Sequence, residues 1–397
     1  MTEKPTPSPA AALVVVKADG AALPTRSGRA GGQSPDARLL RTIGAIVPPD
    51  MPPVSQVGLK AALAAMADAT KAAIAADLDC WRNWCAQELR NPLPADPEDL
   101  VRYVNSLDAS GKKPSTLARR ISSLGSIHRI MGLTTPASPV DDPMVANALK
   151  AVRRSRGVVQ RQAAPLRLGK ALDPKAAKGF TLAALLDSCD SDVQGLRDAA
   201  LLSLGYDAGL RVSELTRVEA SQIEAQEDGS ATLFIPFSKT DQEQEGAWAW
   251  LSAETMRRVG AWLEASAITE GVLFRRVGVD RRRARDDEAT LARITYSIGS
   301  KPLTRQGVNA IYRRVAVAAY GHGLVTVPAG TLNTAIKALS THSLRVGLTQ
   351  DLFAAGEDGA GIAQALRWSS PATALRYGRK LAVQSNVAAR VLSRVRR

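Results

Sequence analysis

Five residues in the second half of the chain have types and spacings that suit chemistry on a phosphate ester. His342 and Arg345 stand at i, i+3, so on a helix they share one face and place a group that titrates near neutral pH beside a permanent cation. Arg211 and Glu214 have the same spacing, at which a carboxylate can fix a guanidinium that grips a phosphate. Tyr377 follows in a basic stretch. Taken singly, these residues are at least as typical of a surface ion pair, a helix start and a packing aromatic ring.

Helices and one hairpin are predicted to position these residues. An apolar helical stretch from Leu196 to Tyr206 leads to Gly209, after which Arg211 emerges. Two short β-like runs, 231–237 and 247–251, flank a polar turn and predict a hairpin. Apolar periodicity predicts further helices over 253–265, 304–320, 343–355, 359–367 and 384–395. The sequence therefore predicts a mainly α fold with a small antiparallel β element.

The amino-terminal half predicts a separate helical domain over residues 55–155, because apolar residues recur there at helical spacing. Asp96 is predicted to begin one of its helices, since its carboxylate can accept from free backbone amides. A later helix carries Thr116, Arg119 and Arg120 among small polar residues. Such a surface lets a helix approach a phosphate backbone closely, although a solvated helix face has the same composition.

Composition narrows the class of partner. The chain of 397 residues carries a formal net charge of +14, which favours nucleic acid or an anionic membrane surface over a merely solvated basic surface. No run approaches the ~18–20 apolar residues that span a bilayer, and Ala10–Val16 lacks the flanks of a signal peptide. The 3 cysteines and 3 widely separated histidines fit neither a disulfide framework nor a zinc site. These features predict a reduced, cytoplasmic protein of two or three domains without a metal.

Two further segments are set apart by their composition. Residues 1–54 are rich in Pro, Ala, Gly and Ser, which predicts a disordered N-terminal tail. Residues 156–172 contain no acid and predict a basic linker between two domains. Arg153 and Arg154 come just before this segment and Arg156 is its first residue. On a nucleic acid these arginines would displace condensed counterions.

The residues that suit phosphate chemistry resemble, in type and order, the signature of the tyrosine recombinase (phage integrase) family, and within it the Cre-like members: Arg211, His342, Arg345 and Tyr377. Residues 209–215 are similar to the first sequence box of that family, and residues 339–347 are similar to the second. The resemblance extends over roughly residues 57–397. One box alone is weak evidence, whereas the ordered set is specific.

The resemblance implies how the phosphate is held and attacked. Arg211 and Arg345 look like the two family arginines that clamp the scissile phosphate, and Glu214 matches the acidic residue that orients Arg211. Tyr377 looks like the nucleophile that forms a 3′-phosphotyrosine ester and leaves a free 5′-hydroxyl. Two guanidiniums neutralise the phosphodiester, which would otherwise repel an incoming phenolate.

The resemblance also implies how protons move. Lys239, on the predicted hairpin turn, looks like the mobile catalytic lysine, a candidate general acid for the leaving 5′-oxygen. His342 matches the histidine of the second box, as proton acceptor or phosphate donor. Trp368 stands where Cre-like members have a tryptophan, whose indole N–H can donate to the phosphate but cannot relay a proton. Because the ester stores the bond energy, rejoining needs neither cofactor nor metal.

For the fold, the resemblance implies a two-domain, C-shaped clamp around double-stranded DNA. Residues 55–155 form the helical core-binding domain, residues 173–397 the catalytic domain, and the linker crosses between them. The candidate DNA contacts are Thr116, Arg119, Arg120, Arg153, Arg154, Arg156, Arg275, Arg276, Arg282 and Arg305. Arg305 looks like an arginine that reads guanine, a pairing worth ~1–3 kcal/mol against a wrong base. The cluster from Arg275 to Arg285 suits phosphate contact and a solvated loop equally well.

By the same resemblance, a C-terminal helix docks on a neighbouring protomer to give a homotetramer on two DNA sites, unless its apolar stripe closes its own domain. The predicted function is site-specific recombination between two short sites. A DNA-binding accessory protein without chemistry would share the salt-sensitive binding but form no covalent adduct. A tyrosine-dependent topoisomerase or telomere resolvase would form the adduct without joining two sites.

Overall fold

The computed structural model describes residues 15–17, 34–48, 55–133, 138–157, 162–169, 179–236, 245–280, 294–384, 391–392 and 394–396. These residues divide into two compact units, one within 22–161 and the other formed by 1–21 together with 162–397. Each unit has its own apolar core. None of the helices in the described part of the chain is long and apolar enough to cross a membrane.

The first unit, here called the helical unit, consists of α1 Pro35–Gly44, α2 Gln56–Ala64, α3 Asp68–Glu88, α4 Pro97–Ala109, α5 Pro114–Ile130 and α6 Pro143–Arg156, with a short 3₁₀ turn before α6. Three rings lie at its core: Trp81 and Trp84 stack with centroids 5.2 Å apart, and Tyr103 meets Trp81 edge-on at 5.0 Å. Asp96 accepts from two backbone amides of the first turn of α4, so the predicted helix start is confirmed.

The predicted N-terminal tail differs from the structure over residues 34–48. Leu39, Ile43 and Ile46 are almost fully buried in the core of the helical unit. Leu39 and Ile43 lie on α1, which packs against α3, and Ile46 follows the end of α1. Ser34 caps this helix by accepting from the amide of Ala37. The spacing of the three apolar residues is a helical stripe, which the Pro- and Gly-rich composition around it concealed. Of the rest of residues 1–54, only β1, described with the other unit, lies among the described residues.

The second unit, here called the C-terminal unit, contains α7 Leu182–Asp187, α8 Val193–Asp207, α9 Val212–Leu215, β2 Ile223–Ala225, β3 Ala231–Ile235, β4 Ala247–Leu251, α10 Ala253–Ser266, β5 Arg275–Asp280, β6 Thr295–Pro302, α11 Arg305–Gly321, α12 Ala329–Ala338, α13 Ser343–Ala354, α14 Gly359–Ala365 and α15 Pro371–Gln384. It also includes β1 Val15–Lys17. The mainly helical fold class is confirmed.

The strands of this unit form two small sheets. The predicted hairpin is confirmed as β3 and β4, which pair antiparallel from Ala231↔Leu251 to Ile235↔Ala247, with β2 on the other edge of β3. A second sheet has the order β1-β6-β5, in which β5 and β6 are antiparallel and β1 runs parallel to β6. The sequence did not predict this second sheet, because the arginine-rich composition around β5 indicated a loop.

Part of the predicted basic linker belongs to the C-terminal unit. Over residues 162–169 the chain runs along α13: the amide of Leu166 donates to the carbonyl of Ser343, and Leu166 is fully buried. A Cβ at Gly347 would lie 1.9 Å from the carbonyl oxygen of Leu166, so only glycine admits this close approach. The structure therefore assigns residues 162–169 to this unit, and the remainder of 156–172 that it describes, 156–157, ends α6.

Candidate active site

The turn between α8 and α9 delivers the first predicted pair. Gly209 has a φ of +52°, and a Cβ there would lie 2.3 Å from the Leu366 side chain, so the turn requires glycine. Arg211 then caps α9, and its Nη1 donates to Glu214 Oε1 at 2.8 Å. The backbone amide of Arg211 donates to Glu214 Oε2 at 2.9 Å. A buried carboxylate thus fixes both the main chain and the guanidinium of Arg211, the arrangement proposed from the spacing.

Arg345 lies beneath this turn on α13 and is 1% exposed. Its guanidinium donates to the carbonyls of Gly209 and Leu366 and lies 5.0 Å from the centre of the Trp368 ring. Burial, and then the neighbouring charge of Arg211, lower the pKa of Arg345 to about 9. An anion beside Arg345 would offset both its burial and its repulsion by Arg211, so the arrangement suits a phosphate.

Tyr377 on α15 is in direct contact with His342, which stands just before the first residue of α13. The Tyr377 hydroxyl lies 2.9 Å from His342 Nε2, and Trp368 stacks on the Tyr377 ring with centroids 5.4 Å apart. Burial, followed by the charges of Arg345 and Arg211, lowers the pKa of His342 to about 4. The imidazole is therefore neutral near pH 7, and with its proton on Nδ1 its Nε2 accepts the hydrogen of the Tyr377 hydroxyl.

The backbone around Tyr377 is held by contacts that the sequence did not reveal. Helix α15 is kinked at Gly378, where a Cβ would lie 2.0 Å from the Phe353 ring. Gln350 donates to the carbonyl of Tyr377 at 3.4 Å, and Gln162 donates to the carbonyl of Arg376 at 2.6 Å. These glutamines fix the main chain at Tyr377 from α13 and from the segment 162–169. Glutamine carries no local signal for such a contact.

Lys239 lies in residues 237–244, outside the described residues. The hairpin that carries this loop is placed by its strands: Ile235 at the end of β3 pairs with Ala247 at the start of β4. Pro236, which follows β3, and Glu214 of α9 line the same cleft, so the end of β3 lies beside α9. Its role stays a prediction. Among the described residues, no group of three or more His, Cys, Asp or Glu side chains is placed to hold a metal.

Arg367 is a further arginine at this site, and the sequence did not single it out. Its Nη2 donates to the carbonyl of Ala208 at 2.9 Å and lies 3.7 Å from Glu214 Oε2. In the sequence it is one of many arginines in a basic stretch, and only the fold places it beside Arg211.

The candidate DNA contacts of the helical unit are partly engaged within the protein. Arg119 Nη1 lies 2.5 Å from Asp77 Oδ2, and Arg120 Nε lies 3.8 Å from Asp77 Oδ1. Ser123 also donates to this buried carboxylate, at 2.8 Å. Thr116 is half-buried. Asp77 thus fixes the arginine pair on α5, a contact that sequence spacing could not show.

The remaining candidates of this unit lie at the end of α6. Arg153 and Arg154 are exposed. Arg156 is exposed too, but its Nε lies 2.6 Å from a carboxylate oxygen of Asp108. Arg153 and Arg154 thus present their charge to solvent, whereas Arg156 shares its charge with an acid.

In the C-terminal unit, Arg276 and Arg305 are exposed, Arg305 at the first turn of α11. Arg305 is close enough to lower the pKa of His342, so it lies near the site. Arg275 instead donates to the backbone carbonyls of Val272 and Glu270, which favours a structural role over phosphate contact. Arg282 lies outside the described residues.

Comparison with known proteins gives the family. Residues 178–383 match the phage integrase family, and residues 62–131 match the phage integrase N-terminal SAM-like domain. The chain is 32% identical over 216 residues to the integrase/recombinase xerD homolog of Selenomonas ruminantium, a match that covers 53% of this chain and 60% of that protein. It is 24% identical over 315 residues to the recombinase cre of Escherichia phage P1, with 79% and 84% covered.

Two solved structures resemble the fold. One is the XerH site-specific recombinase bound to palindromic difH substrate in a post-cleavage complex, with a TM-score of 0.53, 15% identity, and 89% of this chain and 94% of that chain covered. The other is the Tn1549 transposon integrase in complex with transposon right end DNA, with a TM-score of 0.51, 11% identity, and 92% and 99% covered. At these identities the likeness shows the fold alone. Because the family match by itself takes in more than half of its residues, the chain belongs to the phage integrase family, the tyrosine recombinases.

Proposed function

We propose that this protein is a site-specific DNA recombinase that cleaves and rejoins DNA through a 3′-phosphotyrosine intermediate and exchanges strands between two short sites. The observation that carries the proposal is the 2.9 Å contact between the Tyr377 hydroxyl and His342 Nε2. This contact supports Tyr377 as the nucleophile and neutral His342 as its base, next to a buried Arg345 whose pKa is lowered to about 9. A phosphodiester supplies the missing negative charge and the electrophile.

In the proposed step the Tyr377 oxygen attacks phosphorus. A bond from phosphorus to the phenolic oxygen forms, and the bond from phosphorus to the 5′-oxygen breaks. The phenolic proton passes to His342, and Lys239 gives a proton to the 5′-oxygen. Arg211 and Arg345 hold the non-bridging oxygens, where charge increases in the transition state. The reverse attack by a 5′-hydroxyl restores the diester and the free tyrosine, so no external energy source is needed.

Double-stranded DNA is the proposed substrate and partner. The net charge of +14 favours a polyanion, and the Tn1549 integrase structure is a complex with transposon right end DNA. Exposed Arg153 and Arg154 would contact phosphates, and exposed Arg305 would read a base.

A homotetramer on two DNA sites is the proposed assembly. A cavity of about 820 Å³ in the C-terminal unit is lined mainly by apolar groups, with Trp248 and Trp250 exposed at its edge. Near the carboxyl end Val391, Leu392 and Val395 are exposed, at 51%, 46% and 75%. Exposed apolar residues on one segment and an open apolar cavity suit an exchange of that segment between protomers.

The test is Tyr377→Phe on a nicked suicide substrate, from which the cleaved product cannot be rejoined. The wild-type protein should accumulate a covalent protein–DNA adduct, and the variant should bind the same DNA in a mobility-shift assay but form none. An adduct with the variant would eliminate Tyr377 as the nucleophile. A wild-type protein that binds without any adduct would be an accessory protein, and one that forms the adduct but never joins two sites would be a topoisomerase or telomere resolvase.

A further inference from the structure

Arg367 occupies an unfavourable backbone conformation. It lies between α14 and α15 with a φ of +54°, in the left-handed region that disfavours side chains with a Cβ. Its side chain is 9% exposed. A residue that is both strained and buried persists only where the surrounding structure holds it, and such residues concentrate at functional sites.

The hydrogen bonds of Arg367 do not explain why it is retained. Nη2 donates to the carbonyl of Ala208, but Nε and Nη1 are buried without a hydrogen-bond partner among the described residues. Burial lowers the pKa of Arg367, the carboxylate of Glu214 opposes that shift, and Arg211 adds to it. A side chain kept only for stability would satisfy its donors, since each buried donor without a partner costs free energy.

The position of Arg367 gives it a role through its neighbours. Glu214 Oε2 accepts from the amide of Arg211 and lies 3.7 Å from Arg367 Nη2, so two cations share one buried carboxylate. Ala208, the acceptor of Arg367, lies in the same turn that carries Arg211. Arg367 therefore supports the turn and the carboxylate that together orient Arg211.

The net charge of the site is a second reason to assign Arg367 a role in strand cleavage. The charge of Glu214 acts on Arg211, Arg345 and Arg367, and these four described side chains together carry two excess positive charges. His342, whose pKa is lowered to about 4, adds none. A phosphodiester carries one negative charge, whereas the five-coordinate transition state carries two on its non-bridging oxygens. Without Arg367 the excess positive charge of the cluster would equal the one negative charge of the substrate. With Arg367 it equals the two negative charges of the transition state.

We infer that Arg367 is a further positioning residue for strand cleavage, which holds Glu214 and the Ala208 turn behind Arg211 and contributes the second excess positive charge. This inference rests on the proposed function. It predicts that Arg367 affects the rate of the chemical step and leaves DNA affinity nearly unchanged, because neither the guanidinium nor its partners reach solvent as a DNA contact.

The test is Arg367→Gly, which removes the charge and also the backbone strain. Ala267→Gly, at a φ of +51° at the end of α10, is the matched control that relieves strain without touching the site. Single-turnover cleavage of the suicide substrate should slow roughly 10- to 100-fold with Arg367→Gly, as for groups that hold a catalytic residue. Its dissociation constant for DNA should stay within about 3-fold of the wild-type value, well below a tenfold change in affinity. Its melting temperature should not fall. Ala267→Gly should cleave at the wild-type rate.

Two further variants separate charge from packing. Arg367→Met keeps the length of the side chain without the charge and should cleave as slowly as Arg367→Gly. Arg367→Lys restores a cation and should recover at least half of the loss on a logarithmic scale. A wild-type rate for Arg367→Gly, or a rate for Arg367→Lys no better than for Arg367→Met, would overturn the inference. Loss of the adduct in the wild-type protein would instead refute the proposed function.

Discussion

Neutralising the buried carboxylate of Asp351 tests which contacts hold residues 162–169 in the C-terminal unit. Asp351 lies on α13 and is 1% exposed. Its Oδ1 accepts from Arg167 Nε at 2.6 Å, and its Oδ2 accepts from the amide of Leu168 at 2.7 Å and from the Tyr206 hydroxyl at 2.5 Å. One buried side chain therefore ties the segment 162–169 and α8 to the helix that carries Arg345.

Asp351→Asn keeps the shape of this side chain but removes its charge and turns one acceptor into a donor. The Arg167 side chain is 11% exposed, so solvent replaces little of the lost carboxylate. Breaking a buried ion pair by neutralising one partner costs ~3–5 kcal/mol. Burial, and then the charge of Asp351, raise the pKa of Tyr206, so its hydroxyl stays neutral and donates its hydrogen. The amide nitrogen of an asparagine cannot accept that hydrogen bond. We expect a loss of about 3 kcal/mol or more in the free energy of unfolding of this unit.

The measurement is urea unfolding of the full chain, followed by circular dichroism, together with the melting temperature. For a unit of this size, 3 kcal/mol corresponds to a fall in melting temperature of roughly 6–12 °C. Glu254→Gln is the matched control, because Glu254 pairs with Arg257 and Arg258 at the surface and is 49% exposed. Exposed pairs contribute about 0–1 kcal/mol. A loss below 1 kcal/mol for Asp351→Asn would refute the reasoning that this carboxylate anchors the segment.

Two further predictions concern the active site and the DNA contacts. Burial and the neighbouring arginines lower the pKa of His342 to about 4, so its imidazole is neutral in the free protein from pH 8 down to about pH 5. At DNA concentrations below saturation the rate of adduct formation reports the groups of the free protein, so this rate should hold over that range and fall only as the pH approaches 4 and His342 gains a proton. A decline with a midpoint near ~6.5 would show an ordinary histidine instead. Arg305→Ala should relax discrimination between base sequences, whereas Arg119→Ala should weaken binding to all sequences with a shallower salt dependence, both measured by titration at several salt concentrations. Equal loss of selectivity in both variants would contradict this division.

The proximity of the candidate catalytic residues could be predicted because their signal is local and ordered. His342 and Arg345 share a helix face by spacing alone, and Glu214 reaches Arg211 across a single turn, so the structure needed only to bring two short segments together. Residues that act across the fold could not be predicted in this way. Asp77 and Arg119 are joined by the packing of α3 against α5, and nothing in either segment encodes the other.

The elements that escaped prediction share a different cause. Helix α1 lies in a segment whose average composition resembles a tail, and its apolar stripe is too short to stand out from that background. Residues 162–169 read as a basic linker because Arg167 counts as free charge until Asp351 is placed beside it. Composition is an average over a window of residues, whereas burial depends on single contacts. Prediction from sequence therefore fails first in charge runs and Pro-rich stretches.

The candidate active site has an electrostatic cost, which the proposed reaction would explain. Burying Arg345 beside Arg211 and Arg367 opposes the folding of the free protein, as the lowered pKa of Arg345 and of Arg367 indicates, and among the described residues Glu214 offsets only part of this repulsion. In the proposed reaction a bound phosphate would reduce the repulsion, and a phosphate that carries two negative charges would reduce it most. The proposal therefore implies that the electrostatic cost falls as the reaction approaches its transition state, which is the condition for catalysis rather than for tight binding alone.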